Sequence, residues 1–76
     1  MIYEIRCTSQ NHCDTVQRTL FANGYSWAIH GQTIREVESL TLYVNYSTKT
    51  IRTSPFSWLG FEKQPIPISL SELLQL

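Results

Sequence analysis

The stretch Phe21-Ala-Asn-Gly-Tyr-Ser-Trp27, "FANGYSW", decides how the first half of the chain folds. Upstream of it, Cys13, Val16, Leu20 and Phe21 recur at spacings that place them on one stripe of a helix, and Thr8 and Ser9 offer side-chain oxygens for its N-cap. Asn23-Gly24 closes that helix, because glycine takes the left-handed conformation without a Cβ penalty. Downstream, Tyr25, Trp27 and Ile29 alternate with Ser26, Ala28 and His30. That alternation predicts a strand over 25–30 with Trp27 in the core. The stretch therefore reads as a helix exit into a strand, not as a platform of ligand-facing rings.

Working outward, "MIYEIRC" alternates Met1, Tyr3, Ile5 and Cys7 against Ile2, Glu4 and Arg6, the pattern of a half-buried strand. A turn at Gly31-Gln32 leads to "TIREVES", which has charges of both signs and no clean period, so it reads as a loop or irregular strand. "LTLYVNY" over 40–46 is the clearest strand, with Leu40, Leu42, Val44 and Tyr46 on one face. A polar turn at 45–48 joins it to a strand over 49–53 that turns Ile51 inward and is ended by Pro55. The segment 54–67 is rich in aromatics but broken by Gly60, Pro65 and Pro67, and it reads as an ordered loop. Ser69-Leu-Ser-Glu72 is a capping box for a short C-terminal helix.

The order β-α-β-β-β-α predicts one α+β domain spanning residues 1–76. It combines a mostly antiparallel sheet of about four strands with one main helix on its apolar face. The expected core is Tyr3, Ile5, Val16, Leu20, Phe21, Tyr25, Trp27, Leu42, Val44 and Ile51.

Composition narrows the function classes. A chain of 76 residues, 42% hydrophobic and 16% charged, is too apolar to be disordered. At this size it buries only about 60% of its unfolded surface. Six basic and six acidic residues give a formal net charge of zero with no run of either sign, which argues against a polycationic nucleic-acid binder and an acidic mimic alike. No apolar run approaches the roughly 18 residues of a membrane helix, and the first residues lack the pattern of a signal peptide, so a cytoplasmic protein without a membrane partner is expected.

No catalytic constellation emerges. Cys7, His12, Cys13 and His30 supply four ligand types, but their spacing is irregular and no CxxC occurs, so neither a metal nor another cofactor is expected. The adjacency of His12 and Cys13 splits them about 100° apart on a helix, against a thiol–imidazole pair. Glu36 and Glu38 form the closest carboxylate pair, within a charged segment typical of solvated surface. With three scattered glycines there is no phosphate loop. The protein is not expected to be an enzyme.

Two binding surfaces are left. The loop "PFSWLGF" carries Phe56, Trp58 and Phe61, the residue types of interface anchors, and Arg35, Glu36 and Glu38 would give it a polar rim. The same aromatics would equally serve to plug the open edge of a small core. A second surface is the outer sheet face, where Arg6, His30, Tyr43 and Arg52 would suit a nucleotide or single-stranded nucleic acid, though with one aromatic where stacking platforms use two or three.

The run "IYEIRCTSQNHCDTVQRTLFANGYSW", then "LYV", "KTI" and "PISLSELL", resembles small accessory proteins encoded by tailed bacteriophages. In those a strand leads to a helix ending in "VQ..LF..GY.W", then a "LY" strand, a lysine-containing hairpin and an "ITLEEL"-like close. The resemblance extends from Ile2 to Leu74 and transfers no catalytic or ligand-binding residue. It implies a class of role: a stoichiometric binder of a host protein, such as an inhibitor of CRISPR, restriction or another defence system, or a modifier of host transcription. An apolar patch on so small a chain also makes a homodimer an expected alternative partner.

Overall fold

Ser9 caps the first helix through its side-chain oxygen, which accepts from the His12 amide. A computed structural model describes residues 1–54 and 64–76, with strand β1 at Ile2–Arg6, helix α1 at Gln10–Ala22, and strands β2 at Ser26–Trp27, β3 at Thr41–Asn45, β4 at Thr50–Arg52 and β5 at Ile66–Pro67. Helix α2 at Leu70–Leu74 follows, opened by the capping box of Ser69 and Glu72 that the sequence predicts. Gly24, at φ +91°, releases the chain from α1 into β2 as expected.

The sheet has the order β2-β4-β3-β1-β5. It is mixed, which corrects the expectation of a mostly antiparallel sheet of about four strands. The β1–β3 and β3–β4 pairs are antiparallel, whereas β2–β4 and β1–β5 are parallel. Only β3 therefore runs against the rest. The cause is the connection through α1: a crossover helix returns the chain so that β2 runs parallel to β1, and the β3–β4 hairpin fills the space between them. The fifth strand leaves no signature in the sequence because it is two residues long and contains Pro67. A proline is tolerated on an edge, and here the next amide, that of Ile68, donates to Glu4 O at 3.0 Å.

Pairing sets Tyr3, Val44, Ile51 and Trp27 in one row across four strands, with Ile5 and Leu42 in the next row on the same face. Cys13, Val16 and Leu20 of α1 and Leu73 of α2 join Ile5, Tyr25, Trp27, Leu42, Val44 and Ile51 in one buried cluster. Eight of the ten expected core residues are buried, and Tyr3 and Phe21 are half-buried at its margin.

Two strands are shorter than their alternation suggests. The chain leaves β2 after Trp27 in a tight turn, closed by Trp27 N–H to Gly31 O at 2.7 Å and by the reverse bond at 3.2 Å, with Gly31 at φ +63°. Ala28 and His30 therefore lie in a turn, not on the sheet, and Ile29, expected inside, is 85% exposed. Leu40 precedes β3 with φ +54°, a left-handed value that costs a non-glycine residue about 1–3 kcal/mol. It is held there by Leu40 N–H to Val37 O and by Cys7 N–H to Leu40 O at 2.7 Å. Strand β4 ends at Arg52, and Pro55 lies outside the described residues.

Candidate functional site

The segment between Gln32 and Ser39 belongs to no strand, yet its backbone is fully engaged at two positions. Gln17, completely buried on α1, donates from Nε2 to Arg35 O at 2.7 Å and accepts from Arg35 N–H at 2.8 Å. Gln10 repeats the pattern on Val37, donating to Val37 O at 2.7 Å and accepting from its amide at 3.4 Å. Seven residues separate the two glutamines, two turns of one helix face. Each side-chain amide offers the donor and acceptor that a neighbouring strand would offer. Gln32 adds a third tie, donating to Phe21 O and Tyr25 O.

These ties decide which way the segment faces. Val37 is buried in the core, while Arg35, Glu36 and Glu38 are exposed around it. Neither Val37 nor the glutamines stand out in the sequence, because a segment held by side chains from a helix leaves no period in its own residues. A glutamine on an otherwise apolar helix stripe, with Cys13, Val16 and Leu20, was the available signal.

Arg35 stands over the indole of Trp27, its guanidinium carbon 5.6 Å from the ring centroid. The same indole donates from Nε1 to Gln17 Oε1 at 3.1 Å, so Gln17 orients both partners of the stack. Beyond the carboxyl ends of β2 and β4 lies a cleft of about 380 Å³. Its wall is formed by Trp27, the turn residues Ala28, Ile29 and His30, Arg35, and the run Ile51 to Ser54 that includes Arg52. The structure thus gathers His30 and Arg52 from the expected nucleotide surface and Arg35 from the expected partner rim.

Arg6 and Tyr43 lie elsewhere. Glu4, Tyr43 and Arg52 are in register across β1, β3 and β4 on the outer sheet face. Arg6 Nε lies 2.8 Å from Glu4 Oε1 in an ion pair. The Tyr43 phenol is held above its ordinary range by burial, then by the charge of Glu4 and a hydrogen bond to it, with Arg6 opposing. A carboxylate therefore occupies the middle of the surface where a phosphate would approach. Lys49, at φ +56° in the hairpin, is also engaged: its Nζ lies 4.2 Å from the Tyr46 ring centroid and 4.7 Å from that of Tyr25.

Of the remaining candidates, Phe56, Trp58 and Phe61 lie outside the described residues. Cys13 is fully buried and Cys7 half-buried. Burial pushes the Cys7 thiol up to about 12, reinforced by a hydrogen bond and charge repulsion from Cys13. His12 is turned outward and binds the Thr8 amide through Nδ1 at 2.9 Å. Among the described residues no three His, Cys, Asp or Glu side chains gather as a metal site requires, and no helix is long and apolar enough to cross a membrane.

The chain matches no protein-family model, no curated protein and no solved structure.

Proposed function

We propose that the protein acts without catalysis, in the cytoplasm of a host cell, as a phage-type binder that inhibits or modulates a host protein such as a component of a defence system. One observation carries this reading: Arg35, Glu36 and Glu38 project from a backbone that Gln10 and Gln17 hold in place. An edge ordered before contact loses little conformational freedom on binding, so more of its interaction energy appears as affinity. Two acids and one base on such an edge suit a partner surface of mixed charge, and Phe56, Trp58 and Phe61 would supply the apolar anchor.

The test is a pull-down from bacterial lysate with wild type, a Glu36→Lys/Glu38→Lys variant and a Phe56→Ala/Trp58→Ala variant, each confirmed to be folded. The reading expects one host protein, retained by wild type and lost from both variants. Retention of nothing, or equal retention by all three, contradicts it. Dimerisation through the same edge is the competing outcome, read from the mass of the purified protein in solution.

A second reading, a nucleotide or single-strand nucleic-acid module, draws support from His30, Arg35 and Arg52 around one cleft. Its affinity must fall steeply with salt, because phosphate contacts release counterions. Salt-independent binding, or none at low salt, removes it.

A further inference from the structure

We infer that the segment from Ile34 to Glu38 is an open strand edge, which takes an extended, lysine- or arginine-rich stretch of a partner protein by strand addition. The inference rests on the host-binding reading and deepens it, naming the conformation and the charge of the part of the partner that docks.

Hydrogen bonding sets the geometry of the edge. Gln17 bonds both the amide and the carbonyl of Arg35, and Gln10 bonds both of those of Val37, so two residues two positions apart turn their polar backbone groups to the same side, toward α1. That repeat of two is the ladder period of a strand. The groups of the alternating residues, Ile34 and Glu36, therefore turn away from α1, and their amides and carbonyls have no hydrogen-bond partner among the described residues. Gln10 and Gln17 fill on one side the place of a neighbouring strand, and the other side stays open. A row of unpaired amides and carbonyls is a template for a further strand. In strand addition the main-chain bonds supply affinity and the side chains at alternate positions supply specificity.

The exposed side chains set the charge of the occupant. Glu36 and Glu38 are exposed and in no ion pair among the described residues, whereas Arg35, the one base of the segment, already stacks on Trp27. The charges left to an added strand are thus acidic, and cations facing them favour its approach and fix its register. A second copy of the chain fits worse. Two copies paired antiparallel about Arg35 set Arg35 opposite Arg35, and paired about Glu36 they set Glu36 opposite Glu36, and like charges directly opposite destabilise a pair. Nucleic acid is disfavoured too, because the edge would present carboxylates to its phosphates.

The probe is an eight-residue peptide alternating lysine and threonine, titrated into the isotope-labelled full chain. Two counterparts are run beside it: one with glutamate in place of lysine, and one N-methylated at every residue, which keeps the charge but cannot donate to a ladder. The lysine peptide is expected to shift residues 33–38 saturably and to slow amide exchange at Ile34 and Glu36, with both counterparts binding at least about tenfold more weakly. Glu36→Gln/Glu38→Gln, which leaves the backbone edge intact, is expected to weaken the lysine peptide about tenfold, and Arg6→Gln to leave it unchanged. The inference is overturned by no saturable shift, by shifts centred away from the segment, by equal binding of the N-methylated peptide, or by a dimer of the free chain that protects Ile34 and Glu36. The same lysine peptide, added in saturating amount to the pull-down, separates the inference from the reading beneath it. Release of the captured host protein supports both. Capture that the peptide leaves undisturbed overturns the inference while host binding stands, and peptide binding at the edge with no host protein captured supports the edge while contradicting the host-binding reading.

Discussion

The outer sheet face and the segment from Gln32 to Ser39 both carry charged side chains, but they dispose of them in opposite ways. On the sheet the backbone bonds belong to neighbouring strands, and the side chains turn to one another: Arg6 to Glu4, and Tyr43 to Glu4. In the segment the backbone is satisfied from below by Gln10 and Gln17, so Arg35, Glu36 and Glu38 face outward. Among the described residues those three form no ion pair, because the only one present joins Arg6 and Glu4. The difference separates a surface whose charges stabilise the fold from one whose charges are available to a partner.

The largest effect is expected at Trp27, which belongs to the sheet row and lies beneath Arg35. Trp27→Ala removes a buried indole that stacks with Arg35 and bonds Gln17, and is expected to cost about 3–5 kcal/mol, enough to unfold most of so small a domain. Thermal unfolding by circular dichroism reads the effect, and an unchanged melting temperature would contradict the core assignment.

Gln17→Leu isolates the segment. It preserves the apolar stripe of α1 but strips partners from the Arg35 amide and carbonyl and from Trp27 Nε1. A loss of about 2–4 kcal/mol in denaturant unfolding is expected, because buried polar groups are left without partners. A neutral or stabilising result would mean that the amide ties do not hold the segment. On the sheet face the matching change is Glu4→Gln, which removes an ion pair whose Arg6 side is open to solvent and is expected to alter stability by about 1 kcal/mol or less. Its signature is a fall in the Tyr43 ionisation range, toward the ordinary tyrosine value but short of it, since burial remains the largest cause of the upward shift. Carbon chemical shifts of Tyr43 across alkaline pH measure this, and an unmoved titration contradicts the contact.

Cys7 joins the two regions, following β1 and donating its amide to Leu40 where the segment enters β3. Its thiol is raised to about 12 in the folded state from an ordinary 9.0. The folded state therefore holds that proton more tightly than the unfolded chain. The associated stability is present in full below pH 9.0 and fades as pH rises toward 12. At mildly alkaline pH the thiol is expected to react with a disulfide reagent far more slowly in the folded protein than after denaturation. Equal rates would show that Cys7 is not held beside Cys13.

The sheet face was legible in sequence because alternation reports directly on a pleated strand, as in Leu42 and Val44 against Tyr43 and Asn45. Both helix starts were legible too, since Ser9 and the Ser69–Glu72 box are local chemistry. The segment was not, because its pairing partner is a pair of glutamines 27 and 18 residues away in sequence. Alternation also overran its evidence after Trp27, where the Trp27–Gly31 turn ends β2 and sends Ile29 into solvent. The parallel pairs and β5 were invisible for a related reason: two-residue strands have no period, and strand direction follows from the path of the crossover helix. Of the candidate site, the residue types were found, but the grouping of His30, Arg35 and Arg52 required the fold.

That Gln10 and Gln17 fix a charged edge in advance of its partner is read from amide hydrogen exchange at Arg35 and Val37. Slow exchange is expected at both amides and fast exchange at Glu36 between them and at Glu38 after them, with Arg35 becoming fast in Gln17→Leu while Leu42 and Val44 in β3 stay protected under conditions where the variant remains folded. Exchange at Arg35 as fast in the wild type as at Glu36 would contradict it.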